Sequence, residues 1–114
     1  MLITILKSKI HLATVTATQF DYQGSIGIDK NLMAAAGLIA GEKVQVLNSD
    51  NGNRFETYVI EGQKGEISLK GPAAKLGKKG DKVIIIAYGH AEPEAAKRIK
   101  PKIVLVNDQN ESSS

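Results

Sequence analysis

Residues 22–29 are Tyr22-Gln23-Gly24-Ser25-Ile26-Gly27-Ile28-Asp29. This order predicts a strand end, a tight turn at Gly24-Ser25, a short apolar segment and a helix start at Asp29. Gly-Ser turns are common in soluble proteins, so on local sequence Ser25 is either an ordinary turn residue or the reactive residue of the protein. The choice between these alternatives depends on segments elsewhere in the chain.

Length and composition indicate one globular domain over residues 1–114. Hydrophobic residues make up 42% of the chain and aromatic residues only 4%, which predicts a core of Val, Ile, Leu and Ala. The absence of cysteine excludes disulfides, thiolate metal sites and a cysteine nucleophile. Two histidines, His11 and His90, are too few for a zinc site by themselves, so no metal is predicted.

The formal net charge is +3, and much of the excess lies within residues 70–82. The lysines of this segment are Lys70, Lys75, Lys78, Lys79 and Lys82, opposed only by Asp81. Such a cluster is usually a solvated face, and two phenylalanines and three tyrosines offer little surface for stacking bases. Nucleic acid is therefore not expected as a partner.

The segment Met1–Lys7 lacks the features of a secretory signal, and no apolar run approaches the length of a membrane span. A cytoplasmic protein without membrane contact is expected.

Strands are predicted where β-branched and apolar residues alternate with polar ones. They are residues 2–7, 10–18, 43–48, 54–60, 65–70, 83–88 and 103–106. The run 83–88 is apolar almost throughout, which predicts a buried central strand. Because strand side chains repeat with period two, Lys9 and His11 should share one face.

Two helices are predicted. The clearer one lies between an Asp29 cap and a Gly37 stop, and a short polar helix over residues 92–99 follows from Pro93. Residues 71–74 predict a tight loop or a short helical turn, and residues 110–114 a frayed tail.

An Asn-Gly turn within residues 50–53 predicts a hairpin. On the strand after it, Arg54 and Tyr58 share one face, whereas Thr57 lies on the other unless the strand twists or bulges.

Four further segments accompany the Tyr22-Gln23-Gly24-Ser25 motif, namely Lys7–His11, Asn48–Tyr58, Lys70–Lys75 and Gly80–Ile85. In order and spacing they resemble the pyruvoyl-dependent aspartate 1-decarboxylases over nearly the whole chain. The resemblance implies a mainly β fold, a small six-stranded double-psi β-barrel with short helices. It also implies a homotetramer with active sites between neighbouring subunits.

A reaction follows from the same resemblance. Decarboxylation of an amino acid leaves electrons that no side chain can accept, so a cofactor must take them up. In the family, the serine of the Tyr-x-Gly-Ser motif becomes a pyruvoyl group, which assigns self-cleavage between Gly24 and Ser25 into chains 1–24 and 25–114. The implied activity converts L-aspartate to β-alanine and carbon dioxide for pantothenate and coenzyme A synthesis.

Individual roles are implied by matching positions. Thr57 would assist the acyl shift that precedes cleavage, and Tyr58 would return a proton to the substrate. Arg54 would hold the retained carboxylate through its planar guanidinium group. Lys9 and His11 would line the same pocket, and the remaining substrate contacts would come from Gly71, Pro72 and Ala73.

Four positions depart from the usual family pattern. Lys70 replaces an asparagine, Pro72 replaces an alanine, Gly27 stands where threonine or alanine is common, and Leu47 stands where some members have tryptophan. Lys70 and Pro72 leave open a non-processing barrel homologue that acts as a binding or structural subunit. A processing reaction that needs a maturation or activating factor is also open. A small basic barrel that binds nucleic acid through residues 70–82 is the remaining alternative.

Overall fold

A computed structural model describes residues 1–113, which form eight strands and three short helical segments. The strands are β1 (Ile3–Thr14), β2 (Ala17–Gln19), β3 (Ser25–Asp29), β4 (Lys43–Asn48), β5 (Arg54–Gly62), β6 (Ile67–Lys70), β7 (Lys82–Ala91) and β8 (Lys102–Leu105). The helical segments are α1 (Lys30–Ala36), a 3-10 helix (Gly71–Lys75) and α2 (Pro93–Ala96).

All eight strands belong to one sheet in the order β2-β6-β3-β5-β4-β7-β1-β8. Apolar side chains from both halves of this sheet form one buried cluster that includes Ile10, Val46, Val59 and Leu69, so the sheet curls around a common core. The predicted mainly β fold, a small barrel with short helices, is confirmed. The sheet has eight strands, whereas the barrel implied by the resemblance has six.

Helix α1 begins and ends where the sequence predicts. The Asp29 carboxylate accepts a hydrogen bond from the backbone N–H of Asn31 at 2.7 Å, and Gly37 ends the helix with a φ of 68°. The other oxygen of Asp29 accepts from the N–H of Gly65 at 2.6 Å, which ties the helix start to the turn before β6. No helix within residues 1–113 is long and apolar enough to cross a membrane.

The first predicted strand boundary is wrong. Residues 2–7 and 10–18 were expected to be separate strands, but β1 runs without a break from Ile3 to Thr14. The polar residues 8 and 9, which lie between the two predicted strands, are part of β1. The strand accommodates them through two register shifts against β7, between Leu6 and Ser8 and between Ile10 and Ala13. The true break follows Thr14, and the chain then crosses to the other end of the sheet, where β2 pairs with β6.

Strand β7 is central, as predicted, because it pairs with β1 on one side and β4 on the other. Its apolar run nevertheless alternates in burial: Val83, Ile85 and Ala87 are buried, whereas Ile84 and Ile86 are only half-buried. The strand therefore has an inner face in the core and an apolar outer face.

The predicted frayed tail is wrong for residues 110–113, and Ser114 lies outside the described residues. Asn110 is 1% exposed and binds both backbone groups of Thr14, accepting from its N–H at 2.7 Å and donating to its carbonyl at 2.8 Å. Its amide also donates to the Gly65 carbonyl at 2.9 Å. The end of the described chain is thereby fixed to β1 and to the turn before β6.

Replacing Asn110 should destabilise the protein strongly. Asn110→Ala removes three hydrogen bonds, leaves buried backbone groups without partners and places alanine at a φ of 60°, so we expect a loss of about 2–4 kcal/mol in the free energy of unfolding. Asn110→Gly loses the same bonds but tolerates the backbone, and should be about 1 kcal/mol less harmful. Urea unfolding of both variants measures this difference, and equal losses would contradict the role of the left-handed backbone.

Candidate active site

The Gly24–Ser25 bond lies where an irregular segment enters the barrel. Ser25 is the first residue of β3, a strand buried along its whole length, and its side chain is 0% exposed. The Ser25 hydroxyl donates to the carbonyl of Gln23 at 3.5 Å, which is the outer limit for a hydrogen bond. The hydroxyl is thus enclosed but weakly held.

A cavity of about 320 Å³ adjoins this bond. It is lined by Gly24 and by residues of β5, of the 3-10 helix and of the position just after that helix: Gly24, Phe55, Glu56, Thr57, Tyr58, Pro72, Ala73 and Leu76. Strands β3 and β5 are parallel with Ile26 opposite Val59, so one step back along both strands sets Ser25 beside Tyr58. The structure therefore brings Gly24, Thr57 and Tyr58 together, although alternation on β5 places Thr57 and Tyr58 on opposite faces.

Residues 70–72, where β6 turns into the 3-10 helix, press directly on the segment before Ser25. We call them the 70–72 corner. Gly71 has a φ of +66°, and a Cβ atom there would lie 2.5 Å from the carbonyl oxygen of Tyr22 and 2.8 Å from the nitrogen of Gly24. Pro72 approaches the same turn, since a Cβ on Gly24 would lie 3.4 Å from its Cδ atom. Only glycine at position 71 permits this close packing of two backbones.

Lys70 contributes a third contact of the corner. It is the direct antiparallel partner of Ser25, and its Nζ atom lies 4.5 Å from the centre of the Tyr22 ring. Sequence reasoning treated Lys70 as a departure from the family pattern and as a member of the lysine cluster, and it missed this contact. The signal available was an aromatic residue three positions before Ser25 and a cation just before Gly71.

Arg54 and Lys9 lie on the outer face of the sheet. Residues paired across neighbouring strands lie on one face of the sheet. Lys9 of β1 is opposite Ile86 of β7, and Ile86 is opposite Gln45 of β4. Gln45 is in turn opposite Glu56 of β5. Arg54 shares the face of Glu56 because the two are separated by two residues. Three strand spacings, roughly 14 Å along the sheet, separate the backbones of β1 and β5, so within one copy both side chains must extend toward each other to contact one small substrate.

His11 is also distant from Ser25 in the sheet. It lies on β1 opposite Leu105 of β8, while β3 is four strands away from β1. The alternating burial of Lys9, Ile10 and His11 agrees with the predicted shared face of Lys9 and His11. The Nδ1 atom of His11 is buried, and no group within residues 1–113 supplies it with a hydrogen bond.

A carboxylate missed by sequence reasoning lies close to β3. Glu66 accepts from the Ser68 hydroxyl at 2.6 Å and from the Gln63 N–H at 2.9 Å. A side chain at Gly27 would clash with both Ser68 and Glu66, so the glycine at this position makes room for the pair. Burial alone would raise the pKa of Glu66, but the hydrogen bonds from Ser68 and Gln63 and the charge of Lys70 outweigh it and hold the pKa below its ordinary value.

The lowered pKa of Glu66 predicts acid sensitivity. Because the unfolded chain takes up this proton at a higher pH than the folded chain, the stabilisation is complete above the unfolded pKa and disappears as the pH falls through the folded pKa. Glu66→Gln should therefore be less stable than the parent near neutral pH, and the difference should shrink on acidification. Urea midpoints at about pH 7 and about pH 3 test this, and a gap that stays constant would contradict it.

Comparison with known proteins adds independent evidence. Residues 1–113 match the family model described as aspartate decarboxylase. The aspartate 1-decarboxylase of Acetivibrio thermocellus is 54% identical over 112 residues, which covers 96% of this chain and 89% of the relative. Those of Caldicellulosiruptor saccharolyticus and Campylobacter jejuni are 57% and 53% identical, and each match covers 96% of this chain and 88% of the relative.

These relatives are decarboxylases, and thus lyases, of nearly the same length as this chain. The chain belongs to the aspartate decarboxylase family, so the family predicted from the Tyr22-Gln23-Gly24-Ser25 motif and its companion segments is confirmed.

Proposed function

We propose that this protein cuts itself between Gly24 and Ser25 and then decarboxylates L-aspartate to β-alanine, supplying pantothenate and coenzyme A synthesis. The observation that carries the proposal is the cavity beside the Gly24–Ser25 bond, which Gly24, Thr57 and Tyr58 all line. Membership of the aspartate decarboxylase family supports the same chemistry.

Self-cleavage uses groups that the chain already contains. The Ser25 oxygen attacks the carbonyl carbon of Gly24, and the peptide becomes an ester when the C–N bond breaks and the nitrogen takes up the proton. Elimination then releases Gly24 as a carboxylate, and hydrolysis of the resulting enamine consumes one water and releases ammonia. The product is a pyruvoyl group at the start of chain 25–114.

The surroundings of Ser25 suit this group. The weak 3.5 Å contact of its hydroxyl leaves the oxygen available for attack, and Gly24 has no side chain to obstruct the approach. Thr57 lines the same cavity, and its hydroxyl would donate a hydrogen bond to the developing oxyanion of Gly24.

Once formed, the pyruvoyl carbonyl supplies the electron sink that decarboxylation requires. Tyr58 lines the cavity, and its hydroxyl would donate a proton to the α-carbon of the substrate after carbon dioxide leaves. Pro72 and Ala73 line the same cavity and would contact the substrate, and Gly71, which packs on the backbone before Ser25, is proposed as a further substrate contact.

Recognition of the substrate dianion needs two cations, for which we propose Arg54 and Lys9. Their separation across the sheet supports a site completed by a second copy, in keeping with an assembly as a homotetramer. The buried Nδ1 of His11, which has no partner within residues 1–113, fits the same arrangement because a second copy or a bound substrate would supply the missing hydrogen bond. We place this assembly in the cytoplasm.

Denaturing intact-mass spectrometry tests the proposal. We expect two fragments, 1–24 and 25–114, with the larger one lighter by the mass of ammonia than the same chain beginning with an unmodified serine. The purified protein should also release carbon dioxide from L-aspartate. A chain that stays uncut and inactive on long incubation would favour a non-processing barrel homologue, whereas cutting that appears only in a cell extract would indicate a maturation or activating factor.

A further inference from the structure

Three consecutive residues of the 70–72 corner contact the segment before the proposed cleavage point. Gly71 packs on the backbone of Tyr22 and Gly24, Pro72 packs beside Gly24, and Lys70 places its ammonium group over the Tyr22 ring. The corner itself is rigid, because Pro72 fixes its own φ at the start of the 3-10 helix. The segment that it holds, residues 20–24, belongs to no strand or helix.

We propose that Lys70 is a positioning residue for self-cleavage, which acts by holding Tyr22 and thereby fixing the Gly24 carbonyl against the Ser25 hydroxyl. This inference rests on the proposed function, since it concerns the rate of the cut between Gly24 and Ser25. It assigns a task to a residue that replaces the asparagine usual in the family.

Strand geometry explains why Lys70 is suited to the task. Lys70 and Ser25 are direct partners in the antiparallel pair of β6 and β3, so their side chains leave the sheet on the same side. From there the long lysine side chain reaches back to Tyr22, three residues before Ser25, and spans the turn that must be cut. An ammonium group over an aromatic ring is attracted by the negative face of the ring.

Holding this segment should accelerate cleavage. Attack of the Ser25 oxygen requires the Gly24 carbonyl in one orientation, and each additional conformer of residues 20–24 lowers the fraction of molecules that can react. Tyr22 is 51% exposed, so loss of the Lys70 contact would leave its ring less firmly held. A partly exposed cation–π contact corresponds to about a two- to fivefold change in rate.

The charge of Lys70 has a second neighbour, Glu66, whose lowered pKa it helps to maintain. An effect of Lys70 on cleavage could therefore pass through Glu66 instead of Tyr22. Glu66→Gln separates these routes, because it removes the carboxylate charge and leaves the Tyr22 ring in place.

The test measures the rate of cleavage of the full-length chain after cell-free synthesis, followed by denaturing intact-mass spectrometry. Lys70→Met and Tyr22→Leu should each slow the cut about two- to fivefold, and the double variant should be no slower than the single ones. Lys70→Arg and Tyr22→Phe keep the cation and the ring, and should cleave at the parent rate. Lys75→Met is the matched control, since it removes an exposed lysine of the same segment.

The proposal is overturned if Lys70→Met cleaves at the parent rate, or if Lys75→Met is slowed as much as Lys70→Met. It is also overturned if Glu66→Gln slows cleavage as much as Lys70→Met does. A double variant in which the rate losses of Lys70→Met and Tyr22→Leu multiply would overturn it as well. A parent chain that never cuts would instead overturn the proposed function, and this inference with it. A second readout needs no cleavage: in the uncut Ser25→Ala chain, NMR should show upfield ring-current shifts of the Lys70 side-chain protons. Adding Tyr22→Leu to the Ser25→Ala chain should abolish those shifts. Absence of the shifts in the Ser25→Ala chain that keeps Tyr22 would also overturn the proposal.

Discussion

Ser25→Ala is expected to give a single uncut chain with no decarboxylase activity above the uncatalysed rate. Without the hydroxyl there is no oxygen to attack Gly24, so neither the ester nor the pyruvoyl group can form. The loss should not reflect unfolding, because the Ser25 hydroxyl makes only one contact at 3.5 Å and its removal should cost no more than about 1 kcal/mol.

Intact mass, a carbon dioxide assay and a urea unfolding curve together test this expectation. Ser8→Ala is a matched control, because Ser8 is another buried serine, 1% exposed, on β1 and away from the cavity. It should be cut and active. Decarboxylation of aspartate by uncut Ser25→Ala would show that the pyruvoyl proposal is wrong.

Gly71→Ala should both slow maturation strongly and destabilise the fold. The new Cβ would lie 2.5 Å from the Tyr22 oxygen and 2.8 Å from the Gly24 nitrogen, and backbone atoms cannot give way as a flexible side chain can. Alanine at a φ of +66° adds its own strain, so we expect a total loss of about 2–5 kcal/mol of stability and cleavage slowed at least about tenfold.

Gly52→Ala distinguishes close packing from backbone strain. Gly52 has a comparable φ of +79°, but no atom lies within 4 Å of the position of its Cβ. It should therefore lose only about 1–2 kcal/mol and mature at the parent rate. Cleavage of Gly71→Ala as fast as that of Gly52→Ala would contradict the proposed contact between the 70–72 corner and the cleavage turn.

Local patterns in the sequence predicted the elements that depend on nearby residues. Asp29 and Gly37 bound α1 because a cap and a left-handed stop are local interactions, and the Asn-Gly turn joins β4 and β5 for the same reason. The frayed tail was wrong because the three bonds of Asn110 reach residues 45 and 96 positions away. Local sequence does not contain such partners.

The candidate site likewise combines features that the sequence predicted with contacts that local sequence does not contain. Resemblance to the family selected Gly24, Thr57 and Tyr58, and the cavity brings them together. Alternation along β5 could not reveal this, because the cavity lies where β5 runs beside the start of β3. The contact between Lys70 and Tyr22 was equally hidden, since it depends on the pairing of β6 with β3.

The distribution of residues 1–24 in the sheet has a consequence for the lifetime of the mature protein. This segment supplies β1, which is paired on both sides near one end of the sheet, and β2, which lies at the other end. If the Gly24–Ser25 bond is cut as proposed, these strands belong to a separate peptide, and reassembly after denaturation becomes a bimolecular reaction whose yield depends on concentration. Maturation would thus convert reversible folding into a practically one-way process, and the durability of the enzyme would be set by its rate of unfolding.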